Sequence, residues 1–223
     1  MGATLLLAAG AASAQQGLPP ATPVSALSFN VPADVAGAYS TYHIGGIWFR
    51  AGPDSPVVAQ LAAILQRAPF DGFPEGPQLA VQVQSAASQV RLNPASAPAA
   101  EQVLSAAWVR YVQALKKPTA GMIYAYSVLK PHGTRTEEIL LTAAAAPSLG
   151  TYLSTTSALN PVYQELRDAA WADAQATGNM TPDPRLLANL DRARSIPARG
   201  RFVLVDSGNQ RLTMFGTGAR WIP

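Results

Sequence analysis

The chain has 223 residues, of which 48% are hydrophobic and only 13% are charged, and its formal net charge is +3 at pH 7. This length is enough to bury a sizeable core in one or two domains, and the small, dispersed positive charge argues against a nucleic-acid partner, which would need a basic face with interleaved aromatic residues. The sequence contains no cysteine, which excludes disulfides, thiolate metal sites and a cysteine nucleophile within these residues.

The N-terminal segment has the features of a secretion signal. Residues 1–14 form an apolar run that ends in Ala12-Ser13-Ala14, the small-x-small pattern that signal peptidase accepts. The run is shorter than the roughly 20 apolar residues that cross a bilayer, so we predict cleavage before Gln15 and no stable membrane span afterwards. No Lys or Arg precedes the run, which leaves an upstream start or a buried N-terminal helix as alternatives. Residues 15–23 are predicted to be a disordered linker.

Four helices, separated by breaks, are predicted in the first half of the chain. Apolar residues recur at helical spacing over residues 32–42, 57–67, 78–90 and 99–117. Gly45 and Gly46 break the first helix, and residues 47–49 are predicted to be a short extended segment. Ser55 and Pro56 are suited to the N-cap and the first position of the second helix.

The helix over residues 99–117 has the strongest pattern in the chain. Its apolar stripe comprises Val103, Leu104, Ala107, Trp108, Tyr111, Val112 and Leu115. Trp108 lies in the middle of this stripe and is therefore expected in the core. The stretches 69–77 and 93–98, rich in Pro with Gly or Asn, are predicted to be loops.

Further helices are predicted downstream. The stretch 122–129 is ambiguous between strand and helix, and helix is the favoured interpretation. Thr134 and Glu137 have the form of a capping box for a helix that reaches residue 145. A short helix is expected to begin within residues 147–153.

Asn160 and Pro161 are suited to the N-cap and first position of a helix over residues 162–176. Residues 177–184 are predicted to be a linker. They lead to a short amphipathic helix, whose apolar face contains Leu186, Leu187 and Leu190.

A change of period follows this helix. Pro197 and Gly200 end it, and from residue 201 the apolar residues alternate, as in a strand. Two strands around a turn at residues 206–209 predict a β-hairpin, with Val203, Val205, Leu212 and Met214 on one apolar face. A lone hairpin is marginally stable in water, so we expect the β-rich part of the protein to be cut short. The predicted fold class is therefore mainly α, a multi-helix domain followed by a short C-terminal β-hairpin.

This C-terminal stretch carries a resemblance to a known family. The helix LANLDRAR, the proline break, the strand RFVLVD and the strand RLTMF resemble the junction between the scaffold and catalytic domains of large periplasmic L,D-transpeptidases. Further similarity to the helical scaffold of that family lies in residues 143–149, 152–153 and 160–167. Weaker similarity to its N-terminal part lies at Tyr39, Trp48 and residues 68–73.

The resemblance implies a scaffold domain over residues 24–198 and the first hairpin of an otherwise missing catalytic domain over 199–223. The family cross-links peptidoglycan by acyl transfer: a cysteine thiolate, activated by a histidine, attacks a tetrapeptide stem, and the acyl group passes to an amine of a neighbouring stem. The catalytic cysteine is absent here, so we expect the chain as given to be inactive. The expected location is the periplasm, and the expected partner is peptidoglycan or the missing catalytic domain.

Five residues are candidates for contact with a glycan or with another domain. The rings of Trp48, Phe70 and Phe73 are suited to stacking on sugars, with core packing as the alternative. Arg192 and Arg194 belong to the densest cluster of positive charge, which either contacts anionic stem peptides or the catalytic domain, or forms a solvated helix face.

Other patterns give no catalytic, metal or cofactor site. His132-Gly133-Thr134 resembles a catalytic-domain element of the family but precedes the strands that it should follow. His43 has no second ligand at metal spacing. Asp71 with Glu75 would be a candidate carboxylate pair, but Asp71 before a glycine is more typical of a turn.

A second class of function remains open from the residues alone. A stand-alone periplasmic helical module would recognise cell-wall glycan or a partner enzyme, and its hairpin would add to the sheet edge of that partner.

Overall fold

A computed structural model describes residues 31–117, 134–196, 201–206 and 208–215. Within these ranges the chain is mainly helical and ends in a two-stranded antiparallel hairpin, which confirms the predicted fold class. The helices are α1 (Ala33–Thr41), α2 (Pro56–Arg67), α3 (Gly76–Leu92), α4 (Ala97–Leu115), α5 (Thr136–Ala145), α6 (Leu149–Ala158), α7 (Pro161–Thr177) and α8 (Pro184–Ala193). The strands are β1 (Phe202–Asp206) and β2 (Arg211–Phe215).

The central helix of the fold is α4. It packs against α1, α3, α5 and α6, and α2 packs against α3 and α6. Trp108 is fully buried in this core, which confirms the predicted helix phase. The largest enclosed apolar and aromatic side chains are Ile47, Trp48, Leu61, Leu65, Leu104, Trp108, Tyr111, Leu115, Ile139, Leu140 and Tyr163.

Local signals account for several helix starts. Pro56 and Pro161 occupy first-turn positions, where a missing N–H costs nothing. The Asn160 side chain accepts the backbone N–H of Tyr163 at 2.9 Å, as predicted for an N-cap. Ser148 caps α6 in the same way by accepting the N–H of Thr151. Ser55 stands at the N-cap of α2 but makes no side-chain cap bond.

A close backbone approach joins α2 to α3. A Cβ added at Gly76 would lie 2.3 Å from the carbonyl oxygen of Leu65 and 2.6 Å from the Cβ of Ala68. Only glycine fits at this contact without movement of the backbone. The first residue of α3 is therefore fixed by its packing on the end of α2.

Four local predictions are wrong. The predicted loop 93–98 contains a 3₁₀ turn (Pro94–Ser96) and the first residues of α4. Residues 47–49 form a bend and not an extended segment, because their N–H groups converge on one carboxylate. The predicted loop 69–77 contains most of a 3₁₀ turn (Ala68–Asp71) and the start of α3. The capping box is not formed: Arg135 stands at the N-cap of α5 without a side-chain bond.

The two strands of the hairpin pair antiparallel over their full length, with Phe202 opposite Phe215 and Asp206 opposite Arg211. Val203 is opposite Met214, and Val205 is opposite Leu212. Directly opposed residues of an antiparallel pair share a face, so these four side chains form one apolar face, as predicted.

Some sequence predictions lie outside the described residues: the signal at 1–14, the linker at 15–23, the segment 122–129 and His132. Among the helices that the structure describes, none is both long enough and apolar enough to cross a membrane.

Candidate functional site

The carboxylate of Asp71 is buried between residues of α4 and α7. It ends the 3₁₀ turn, and its side chain is completely enclosed. Tyr111 donates to one carboxylate oxygen at 2.9 Å and Tyr163 donates to the other at 2.8 Å. The guanidinium of Arg167 lies 3.4 Å from the same carboxylate and is itself almost fully buried. Two phenols and one guanidinium therefore compensate the buried charge.

The electrostatics of this cluster keep its two phenols and its guanidinium protonated. Burial raises the pKa of Tyr111 and of Tyr163, and the negative charge of Asp71 raises both further. Burial lowers the pKa of Arg167, but the charge of Asp71 and other neighbours outweighs that effect, so the pKa is raised. The phenols thus act as neutral donors to a carboxylate that no substrate can reach. Asp71 is a structural residue and does not form an acid–base pair with Glu75, which instead pairs with Arg110 at the surface.

The end of α8 is tied to this cluster by Arg194. One of its terminal nitrogens donates to the carbonyl of Ala114 at 3.2 Å and to that of Leu115 at 3.5 Å, and the other donates to the carbonyl of Asp71. The guanidinium also lies 5.9 Å from the ring centroid of Tyr163. Arg194 therefore caps the C-terminal end of α4 and joins it to the 3₁₀ turn.

The same end of α8 is held by Asn160. Its side-chain nitrogen donates to the carbonyls of Ala193 at 2.8 Å and Ile196 at 3.1 Å, while its oxygen caps α7. The residue is buried, and its amide joins the start of α7 to the end of α8.

A second buried carboxylate, Glu101, organises the segment between α1 and α2. It accepts the backbone N–H groups of Ile47 at 2.8 Å, Trp48 at 3.0 Å and Phe49 at 2.9 Å. The hydroxyl of Tyr39 also donates to it at 3.3 Å. Three successive N–H groups make an anion-binding concavity, and the side chain of Glu101 fills it.

The apolar face of the hairpin is open to solvent. The exposed fractions are 52% for Val203, 66% for Val205, 74% for Leu212 and 56% for Met214. Four adjoining apolar side chains on an antiparallel pair are normally covered by a packed layer. This face is therefore the strongest candidate interaction surface in the described part of the chain.

An open groove of about 750 Å³ lies between α5 and α6. Its lining is uncharged and consists of Leu141, Thr142, Ala145, Ala146, Pro147, Ser148, Thr151, Tyr152 and Thr155. The hydroxyl groups of Thr142 and Thr155 donate to carbonyls of their own helices. Those hydroxyls donate within their own helices, and the groove presents a largely apolar surface.

The structure places the three candidate aromatic residues in the core. Trp48, Phe70 and Phe73 have exposed fractions of 1%, 3% and 9%. The indole N–H of Trp48 donates to the hydroxyl of Ser105, and Phe70 makes an edge-to-face contact with Trp171. No ring face is free to stack on a sugar, so these residues have the packing role that was the alternative interpretation.

The two candidate arginines have different environments. Arg192 is exposed and its guanidinium bonds the side chain of Asn189, as expected for a solvated face. Arg194 is not part of such a face, because it turns inward to the carbonyls at the end of α4. The sequence pattern could not separate the two, since both follow the same apolar stripe.

His43 is exposed and has a left-handed backbone with φ of 49°. Within the ranges that the structure describes, no group of three or more His, Asp or Glu side chains is placed to hold a metal ion.

A family model described as a scaffold domain matches residues 33–169, more than half of the chain. The chain belongs to this scaffold-domain family. The match begins with α1 and ends within α7, so the scaffold domain contains both buried carboxylate clusters, whereas α8 and the hairpin follow it. Comparison with curated proteins and with solved structures gives no match.

Proposed function

We propose that this chain is the non-catalytic scaffold portion of an L,D-transpeptidase, and that the apolar face of its hairpin is the contact surface for the β-rich catalytic domain. The observation that carries the proposal is this uncovered face, which lies on the C-terminal side of the matched scaffold domain, after α8. A β-rich domain can cover the face by adding strands and a packed layer.

In this proposal the scaffold positions the catalytic domain and supplies no catalytic residue. The chain contains no cysteine, so the thiolate that attacks the tetrapeptide stem comes from the catalytic domain. The scaffold holds that domain, and through it the peptidoglycan strand, in a fixed orientation. The enclosed carboxylates Asp71 and Glu101 maintain the helical body and do not take part in acyl transfer.

The test is binding of an L,D-transpeptidase catalytic domain, produced separately and without its own first hairpin, to the purified chain, with titration calorimetry as the readout. Leu212→Lys places a charge on the apolar face and should weaken binding at least about tenfold, or 1.4 kcal/mol. Leu92→Lys is the matched control, because Leu92 is 87% exposed on α3, and it should leave binding unchanged.

Three outcomes decide between the functions. Binding that Leu212→Lys weakens and Leu92→Lys does not supports the scaffold proposal. Absence of any binding to the catalytic domain contradicts it. Binding of the isolated chain to peptidoglycan without the catalytic domain would favour the stand-alone module instead.

We also propose that the protein is exported to the periplasm, on the basis of the apolar run and Ala12-Ser13-Ala14. Intact-mass measurement of periplasmic material should show loss of residues 1–14. Exported protein that retains those residues would contradict the cleavage site.

A further inference from the structure

The end of α8 carries more polar anchoring than the end of a helix requires. A helix C-terminus is usually satisfied by a left-handed residue, by water or by one side chain. Here the buried side-chain amide of Asn160 donates hydrogen bonds to the carbonyls of Ala193 and Ile196. Arg194 donates to the carbonyl of Ala114 in α4. Both anchors act on residues 193–196, and residues 197–200, which lie outside the described ranges, join this stretch to the hairpin.

The anchors join the end of α8 to separate parts of the scaffold domain. Asn160 belongs to the start of α7, and Arg194 binds carbonyls that end α4 and the 3₁₀ turn. The planar guanidinium can serve acceptors in different directions at once, which an ammonium group on a flexible stem does less well. The side chain of Arg194 is 11% exposed, so solvent screens these bonds weakly.

We propose that Asn160 and Arg194 are positioning residues that fix the point at which the chain leaves the helical body on its way to the hairpin. Without them, α8 would still be helical, but its last turn would open locally and the hairpin would sample a wider range of positions. This role goes beyond the proposed function, because it holds whether or not a catalytic domain is the partner of the hairpin.

The test is the distribution of distances between two spin labels, measured by pulsed electron resonance. The chain has no native cysteine, so Leu92→Cys on α3 and Leu212→Cys on β2 introduce the only thiols. Asn160→Ser keeps an oxygen that can cap α7 but is too short to reach the end of α8. Arg194→Lys keeps the charge but loses the guanidinium fork.

Each variant should widen the distribution about twofold relative to the parent labelled pair. Arg192→Ala is the matched control, because Arg192 is exposed and near in sequence, and it should leave the width unchanged. A second label pair, Leu92→Cys with Leu141→Cys on α5, reports on the helical body and should stay narrow in every variant.

The second label pair separates positioning from general destabilisation. Broadening of the hairpin pair alone supports the proposal. Broadening of both pairs would mean that Asn160 and Arg194 only hold the body together, and equal widths in the parent and all variants would mean that they do not fix the point at which the chain leaves it. Either of these results overturns the proposal, and neither depends on binding of a catalytic domain.

Discussion

Glycine at position 76 is required by contact and not by backbone conformation. Its added Cβ would meet the carbonyl oxygen of Leu65 at 2.3 Å, and a backbone atom cannot swing away as a side-chain tip can. We expect Gly76→Ala to cost about 1–3 kcal/mol, since the overpacking outweighs the better helix propensity of alanine. Chemical denaturation of the two proteins measures the difference.

Gly37 in α1 provides the matched comparison. A Cβ added there would meet nothing within 4 Å, so Gly37→Ala should stabilise the protein by up to about 1 kcal/mol. If Gly76→Ala were equally stabilising, the close approach of α2 and α3 would have to be wrong.

Trp108 tests the packing of the core at the same scale. The side chain is fully buried and contacts the rings of Tyr111 and Tyr152 at centroid distances of 5.6 and 5.9 Å. Removal of this volume leaves a cavity that such a core fills only partly, so Trp108→Ala should cost about 3–5 kcal/mol. A loss below about 1 kcal/mol in the denaturant midpoint analysis would place the indole outside the core.

Among the elements, the segment between α1 and α2 depends on one side chain from α4. Glu101→Gln preserves the size of the side chain, but its NH₂ group would face the backbone N–H groups of residues 47–49. We expect a loss of about 2–4 kcal/mol, because at least one buried donor is left unpaired and the remaining bonds lose their ionic character. Thermal denaturation measures this loss.

The stability loss should be specific to the carboxylate of Glu101, which binds residues 47–49. Glu137→Gln provides the control, since Glu137 makes a surface ion pair with Arg135, and it should change stability by less than about 0.5 kcal/mol. A similar small effect for Glu101→Gln would show that water, and not the carboxylate, satisfies residues 47–49.

The hairpin is the element with the least support from its neighbours. Its apolar face is more than half exposed, so opening it costs little free energy, whereas opening α4 exposes the centre of the core. We expect the amides of residues 201–215 to exchange much faster than those of residues 97–115 in dilute monomer. Slow exchange across both strands in a demonstrated monomer would mean that another part of the molecule covers the hairpin.

The elements themselves could be predicted because their signals are local. Proline at the first turn, Asn160 at its cap and alternating residues around a turn each act within a few positions of the chain. The contacts between distant elements could not be predicted. Asp71 meets Arg167, and Arg194 meets Ala114, only because the fold brings together residues that are far apart in the sequence. One signal was available for Glu101: it is a carboxylate on the apolar side of α4, and a buried charge needs partners.

Arginine exposure illustrates the same limit. Arg192 and Arg194 have the same residue type and nearly the same sequence context, yet Arg192 is exposed, whereas the side chain of Arg194 is only 11% exposed and donates to carbonyls at the end of α4. What separates them is the position of the α4 carboxyl end beneath α8, which no local pattern encodes. Trp48 lies in the core for a similar reason, since residues 47–49 fold inward onto Glu101, and Phe70 and Phe73 are buried by Trp171 and Tyr111, which are distant in sequence.

At the scale of the whole molecule, buried phenols link stability to alkaline pH. Burial raises the pKa of Tyr39, Tyr111 and Tyr163 above the ordinary value of 10.0, and the charge of Glu101 or Asp71 raises it further. In the unfolded chain these phenols lose their protons near pH 10, whereas in the folded protein they keep them. Their contribution to stability is therefore complete below pH 10 and is lost as the pH rises above it.

We expect the thermal midpoint to fall steeply above pH 10, with the free energy of unfolding declining by about 1.4 kcal/mol per pH unit for each of the three phenols. Phenolate absorbance followed in the same samples should show these tyrosines ionising together with unfolding. Tyr42→Phe is the control, because Tyr42 is 48% exposed, and it should leave the slope unchanged, whereas Tyr39→Phe should reduce it by about 1.4 kcal/mol per pH unit. Ionisation of all seven tyrosines near pH 10 in protein that remains folded would contradict the enclosed hydrogen bonds at Asp71 and Glu101.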